Sequence, residues 1–148
     1  MPKPPDSVAG VLGTGGTEEV LLVERVSKIN QIVVHRSETW FSSSITQAID
    51  PRLAGSRPPA LVLGELGCEF ARFDQFVEAV LSCDKGQELI GMPVGTAVLQ
   101  VVRTAYETAD SALFQSLHRH PGASTRIDID LPIIDTPAYE VDIVDVRS

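Results

Sequence analysis

Hydrophobic and polar residues alternate in several stretches of the chain, as they do in half-buried β-strands. Residues 20–26 are aliphatic and β-branched, and a second run of this kind covers residues 32–39 after the polar stretch 28–31. Residues 97–106 and 112–119 repeat the arrangement around another polar turn. The pattern therefore predicts two β-hairpins.

Further short elements are predicted between and after these hairpins. Residues 70–81 fit both a helical stripe and a strand alternation, so the pattern leaves helix and strand open. Residues 126–131 and 139–146 alternate as strands do, whereas residues 59–66 and 84–90 carry the end signals of short helices. Together the elements predict an α+β domain with an antiparallel sheet of about six strands and short helices on one face.

Proline and glycine are concentrated in residues 1–17, which we expect to form a flexible N-terminal segment before a single domain over residues 18–148. The glycines of residues 13–17 are not followed by the helix or the Gly-Lys-Ser/Thr sequence that a phosphate-binding loop needs. No redox cofactor motif is visible either, so we expect no cofactor.

The chain of 148 residues is acidic, with 12 Lys and Arg against 20 Asp and Glu and a formal net charge of −8. This charge repels a phosphate backbone and the basic residues are scattered, so we expect no nucleic acid partner. No apolar run approaches the ~20 residues that cross a bilayer, and no secretory signal is visible. We therefore expect a cytoplasmic protein without a membrane partner, and we leave a homodimer open.

Two arginines, Arg25 and Arg103, occur within apolar strands. A guanidinium in such a position needs a partner to offset its desolvation. That partner is either a carboxylate or phosphate of a ligand, held by bidentate hydrogen bonds, or a structural carboxylate such as Glu24 or Glu107. The sequence leaves both alternatives open.

Acid–base chemistry, if present, would use a small set of residues. His35 and His118 titrate near neutral pH and stand beside basic strand residues, and Glu107 is the remaining carboxylate candidate. His118 and His120 are two residues apart and would share one face of a strand. A zinc site would need His35 to converge with them, and nothing in the spacing places His35 beside them. We expect no metal.

Four further residues are candidate ligand contacts. Arg36 and Arg119 follow the two histidines, Tyr106 could stack on a ligand ring, and Trp40 could line the mouth of a site.

The order of these segments resembles the chorismate lyase-like fold, which the UTRA effector-binding domain of GntR-type transcription regulators shares with chorismate pyruvate-lyases. Residues 20–26 look like the first strand of that fold, and residues 91–106 look like a turn and a strand that bears arginine and tyrosine. Residues 117–119 followed by 126–129 are similar to its closing segment. The resemblance covers roughly residues 18–131.

The resemblance implies that residues 70–81 form a strand. It also implies a pocket between the sheet and its covering loops, in which small carboxylates, phosphates or sugar phosphates bind. The arginines of the family correspond to Arg25 and Arg103. The glutamate of chorismate lyases has no counterpart in residues 112–116, which argues against chorismate cleavage.

Two functions follow from this resemblance. Because the fold occupies nearly the whole chain, we expect no room for a DNA-binding domain. A free-standing pocket protein then favours a cofactor-independent lyase, isomerase or cyclase acting on a small anionic or polar metabolite. The alternative is a non-catalytic, effector-sensing module that binds a small-molecule ligand and acts with a separate partner.

Overall fold

The computed structural model describes residues 3–13, 20–82, 95–108 and 110–130. Its elements in chain order are α1 (Asp6–Leu12), β1 (Leu21–Ile29), β2 (Ile32–Phe41), α2 (Ser43–Thr46), α3 (Pro51–Ala54), α4 (Pro59–Glu65), β3 (Arg72–Leu81), β4 (Ala97–Tyr106), β5 (Ala112–Pro121) and a 3-10 turn (Gly122–Ser124). The strands form one antiparallel sheet in the order β1-β2-β5-β4-β3. The expected α+β class is confirmed.

The two predicted hairpins are both present. β1 and β2 are joined at Asn30 and Gln31, whose φ angles of 51° and 67° are those of a type I′ turn. This turn matches the right-handed twist of the strands that it connects. β4 and β5 form the second hairpin, and β2 pairs with β5 to join the two into one sheet.

The segment that the pattern left open is a strand, as the family resemblance implied. β3 pairs with β4 along its whole length, from Arg72 opposite Tyr106 to Leu81 opposite Ala97. It is the edge strand of the sheet, and most of its residues are exposed on both faces. Because no face of β3 is fully covered, its apolar residues need not keep to one face, and its sequence fits a helical stripe as well as a strand alternation.

Apolar clusters cover both faces of the sheet. On one face, α2, α3 and α4 pack over a core that includes Phe41, Phe114 and the fully buried Leu63. On the other face, Val8 of α1 packs against Trp40. Consecutive residues of a strand point to opposite faces, so Trp40 and Phe41 belong to different clusters. The expected helical cover on one face therefore describes α2–α4, whereas α1 lies on the opposite side.

α1 lies within the N-terminal segment 1–17, where Val8 packs against an apolar partner that composition alone does not reveal. The strand predicted over residues 126–131 is wrong for its described part, because residues 126–130 form no strand and are exposed after the chain leaves the sheet. The sheet of the described residues has five strands. The predicted helix over 84–90 and the strand over 139–146 lie outside the described residues.

None of the helices in the described part of the chain is long and apolar enough to cross a membrane. The division into a segment 1–17 and a domain 18–148 stays a prediction.

Close packing of the 3-10 turn after β5 on the start of β4 can be tested at Gly122. A Cβ on Gly122 would lie 2.9 Å from the carbonyl oxygen of Ala97, so the backbone would have to shift. We expect Gly122→Ala to lower the free energy of unfolding by about 1–3 kcal/mol. The control Gly64→Ala, where a Cβ would meet nothing within 4 Å, should leave it unchanged or raise it by up to about 1 kcal/mol. Urea denaturation measures both, and equal stabilities would contradict the packing.

Candidate ligand-binding site

The face of the sheet under α2–α4 changes from apolar to cationic along its strands. Directly paired residues of antiparallel strands project from the same face, so the register defines rows across the sheet. One row is apolar, and the next two rows carry hydroxyl groups, two arginines and a histidine beside three valines. The three rows are Leu21-Phe41-Phe114-Ala105-Phe73, then Val23-Thr39-Ser116-Arg103-Gln75, then Arg25-Ser37-His118-Val101-Val77.

A cavity of about 610 Å³ lies where this face meets the start of α4. Its volume is within the range of small-molecule binding sites. The polar side chains of its wall come from four strands, namely Arg25 from β1, Gln75 from β3, Arg103 from β4, and Ser116 and His118 from β5. The apolar part of the wall is formed by Pro58, Pro59, Ala60, Phe73 and Phe114.

The two arginines of the cavity have no carboxylate partner among the described residues. Arg103 donates hydrogen bonds from Nε and Nη2 to the neutral amide oxygen of Gln75, at 2.9 and 2.7 Å. Glu24, a structural partner that the sequence allowed, pairs instead with Arg36. Glu107 forms no ion pair in the described residues, so the alternative of structural pairing receives no support at either arginine.

Arg36 and Arg119 lie on the opposite face and are paired there. Arg119 Nη1 lies 2.7 Å from Glu38 Oε1, and the two side chains are only 15% and 11% exposed. Arg36 Nη2 lies 3.3 Å from Glu24 Oε2. These two arginines therefore stabilise the sheet and do not line the cavity.

The remaining aromatic and acidic candidates also lie outside the cavity. Trp40 is 4% exposed in the core of the opposite face, where its Nε1 donates to Glu38 at 3.3 Å. The Tyr106 ring packs under the guanidinium of Arg72, at 3.8 Å from the ring centroid. Glu107 lies near Cys68, whose pKa is raised by burial and, to a lesser extent, by that carboxylate.

The three histidines come together beside the cavity, which their spacing in sequence could not show. His35 stacks on His118 and on His120, with ring centroids 5.2 and 4.6 Å apart and nearly parallel planes. His35 Nε2 and His118 Nδ1 form a hydrogen bond of 3.0 Å. Within the described ranges no group of side chains could hold a metal ion.

Burial lowers the pKa of all three imidazoles below the ordinary value, which favours their neutral forms near pH 7. Burial, followed by the charges of His35 and Arg103, lowers the pKa of His118 to about 4. Burial also lowers the pKa of His35 and of His120, and the charge of Arg25 adds to the effect at His35. The cavity thus combines two guanidinium cations with a neutral histidine.

Of the candidate residues from the sequence, only Arg25, Arg103 and His118 line the cavity. His35 lies next to the cavity wall, where it stacks on His118 and forms a hydrogen bond with it. The other lining residues were not among the candidates from the sequence: Gln75, Ser116, Phe73, Phe114 and the 58–60 segment. Gln75 and Ser116 flank Arg103 in the sheet register, so a correct strand pairing would have identified both.

Comparison with known proteins identifies the kind of domain that has this geometry. The family model described as the UTRA domain matches residues 2–126. The chain therefore belongs to the UTRA domain family, the ligand-binding effector domains of GntR-family regulators. A search of curated protein sequences gave no significant match.

Solved structures share the fold at low sequence identity. A GntR-family transcriptional regulator from Enterococcus faecalis has a TM-score of 0.74 and 16% identity, with 88% of this chain and 94% of that chain covered. The effector domain of PhnF from Mycobacterium smegmatis has a TM-score of 0.70 and 19% identity, with coverage of 89% and 82%. YydK from Bacillus subtilis, a possible transcriptional regulator, has a TM-score of 0.73 and 18% identity. The match covers 88% of this chain but only 57% of YydK.

The Arg119–Glu38 pair can be tested through its effect on stability. Replacing Arg119 by Met leaves the buried carboxylate of Glu38 without its cation, so we expect a loss of about 3 kcal/mol in the free energy of unfolding. The control is Arg126→Met, which breaks the exposed pair with Asp128 and should cost less than about 1 kcal/mol. Chemical denaturation compares the two variants. A similar small loss in both would contradict a structural role for Arg119.

The neutral histidine in the cavity predicts a dependence of stability on pH. Because the pKa of folded His118 lies below its ordinary value of 6.5, the unfolded chain binds more protons between pH 6.5 and 4. The contribution of the neutral His118 side chain to the free energy of unfolding is therefore complete above pH 6.5 and is lost as the pH falls towards 4. We expect this contribution to be about 1–2 kcal/mol, allowing for solvent screening.

The measurement is the free energy of unfolding of wild type and His118→Gln at several pH values. The difference in free energy of unfolding between wild type and His118→Gln should change between pH 4 and 6.5 and stay constant above pH 6.5. His35, His120, Arg25 and Arg103 all face this imidazole, and their charges act in the same direction. A difference that is independent of pH would contradict a neutral His118.

Proposed function

We propose that this chain is an effector-sensing module that binds a small organic anion in the cavity and does not transform it. The observation that carries the proposal is the presence of two cavity arginines, Arg25 and Arg103, without a carboxylate partner in the described residues. A guanidinium binds a carboxylate or phosphate through parallel, charge-assisted hydrogen bonds. An anionic ligand would supply the partner that these side chains lack.

The expectation of a lyase, isomerase or cyclase has less support. Such an enzyme needs an acid–base group at its ligand, and among the described wall residues only His118 could act as one. Its pKa of about 4 makes it a weak base at neutral pH, and its Nδ1 is already hydrogen-bonded to His35. Glu107 lies outside the cavity wall.

In this proposal the module reports its ligand to a separate DNA-binding partner. The similar structures include a GntR-family transcriptional regulator and the effector domain of PhnF, and the match covers only 57% of YydK. The net charge of −8 is consistent with a module that does not itself contact DNA. A role in bacterial transcription would place it in the cytoplasm, and a homodimer stays a prediction.

Replacement of the cavity arginines tests the proposed function. Met keeps much of the apolar contact of the stem but removes the charge and the hydrogen-bond donors. We expect Arg25→Met and Arg103→Met each to reduce the affinity for an anionic ligand by tenfold to a hundredfold, because a charge-assisted hydrogen bond contributes about 1.5–3 kcal/mol. Calorimetric titration with organic acids and phosphates that stabilise the wild-type fold measures the change.

Arg36→Met is the matched control, because it removes the same charge from the opposite face of the sheet. Its affinity should stay within about twofold of wild type, while its stability falls modestly. Equal affinity in wild type and both cavity variants would rule out the arginines as ligand contacts. Consumption of a bound ligand by the wild-type protein would instead restore the enzyme hypothesis.

A further inference from the structure

We infer that the cavity selects anions with an apolar body, such as aryl or alkyl carboxylates, over polyhydroxylated anions such as sugar acids and sugar phosphates. This inference rests on the proposed function, since it names the chemical class of the ligand that the module senses. It comes from the wall residues and from the hydrogen bonds that they already make.

One side of the cavity offers no polar side-chain atoms. Pro58, Pro59 and Ala60 form this side at the start of α4, and Phe73 and Phe114 face it from the sheet. Proline also lacks a backbone N–H, so the 58–59 pair presents no backbone donor to a ligand. The side chains of this surface therefore suit a hydrocarbon chain or ring better than a hydroxyl group.

The aromatic part of that wall is held in place before any ligand binds. Phe70 packs against Phe73 with ring centroids 5.1 Å apart and meets Phe114 edge to face at 6.5 Å. Phe114 itself is 2% exposed, whereas Phe73 is 49% exposed. Phe73 therefore presents a supported but uncovered ring to the cavity.

The neutral polar side chains of the cavity each already make a hydrogen bond to a protein group. Ser116 Oγ and Thr39 Oγ1 are hydrogen-bonded to each other at 3.0 Å. His118 Nδ1 is bonded to His35, and the amide oxygen of Gln75 accepts from Arg103. Among the described residues this leaves the Gln75 amide nitrogen and His118 Nε2 as neutral side-chain partners for a sugar. The other hydroxyl groups of a sugar would stay unpaired or break these bonds, and either outcome reduces its affinity.

The guanidinium of Arg25 differs from these paired groups, because it has no hydrogen-bond or ion-pair partner among the described residues. Guanidinium groups only donate hydrogen bonds, so they suit the oxygens of an acid group better than hydroxyls that also need an acceptor. The cavity therefore joins an acid-binding group to an apolar wall, with few unsatisfied neutral partners between them.

Four probes separate the parts of this inference in calorimetric titrations of the full chain. Phenylacetate combines a carboxylate with an apolar ring, and phenylacetamide keeps the ring without the charge. Gluconate keeps the carboxylate on a polyhydroxylated body, and glucose 6-phosphate replaces it with a phosphate. We expect phenylacetate to bind at least tenfold more tightly than each of the other three.

Phe73→Ser tests the apolar wall directly, and Phe76→Ser is its matched control. Both rings lie on β3 and are exposed to a similar extent, 49% and 51%, but they occupy opposite faces because their partners on β4 are Ala105 and Val102. We expect Phe73→Ser to weaken phenylacetate binding about five- to tenfold, the loss of one aromatic contact. The Phe76→Ser variant should bind within twofold of wild type.

The outcomes distinguish this inference from the proposed function. If gluconate or glucose 6-phosphate binds as tightly as phenylacetate and loses affinity in Arg25→Met, the inference is wrong and the anion-sensing function stands. If phenylacetamide binds as tightly as phenylacetate, the cavity does not select an anion and the proposed function is wrong. If none of the four probes binds at millimolar concentration, or if both serine variants behave alike, the inference is overturned.

Discussion

The pairing of β2 with β5 joins the two hairpins, and its register places the residues of the candidate site. Thr39 lies opposite Ser116 and Ser37 lies opposite His118, which brings His35 into contact with a histidine 83 residues away. A slip of one residue would turn every side chain of a hairpin to the other face. It would bury the paired arginines under α2–α4 and expose the cavity residues on the side of α1. The apolar residues at one end of each strand prevent this slip, because Phe41 and Phe114 must meet the same helical cover.

The two faces use arginine in opposite ways. On the face of α1, Arg36 and Arg119 neutralise Glu24 and Glu38, so their charges are satisfied within the protein. On the cavity face, Arg25 and Arg103 keep their charges available. The overall charge of −8 therefore says little about this site, since the local field depends on which side chains share a face.

At neutral pH His118 adds no third cation to the two guanidiniums of the cavity. A protonated imidazole beside them would add a third positive charge, and burial would make that charge still less favourable. The low pKa of His118 avoids this repulsion at neutral pH. The neutral ring still offers hydrogen-bonding capacity, so the site has a cationic character that resides in the arginines alone. This arrangement fits a module that holds an anion better than an enzyme that transfers protons to it.

Local patterns in the sequence were sufficient for the two hairpins and for the choice of Arg25 and Arg103 as candidate ligand contacts. Alternation depends on neighbours two residues apart, and a charged residue within an apolar strand is recognisable without any tertiary information. The structure of β3 could not be decided in this way, because an edge strand with two exposed faces can carry apolar residues on both, and its pattern then fits a helix as well as a strand. The family resemblance identified it instead.

Only the tertiary structure distinguished Arg25 and Arg103 from Arg36 and Arg119, which the sequence had treated as one set of ligand contacts. It also placed Trp40 in the core, brought the histidines together and added Phe73 and Gln75 to the cavity. The physical reason is that these contacts join strands distant in sequence. Their register is set by the packing of apolar ends under the helices, which no short stretch of the chain specifies by itself.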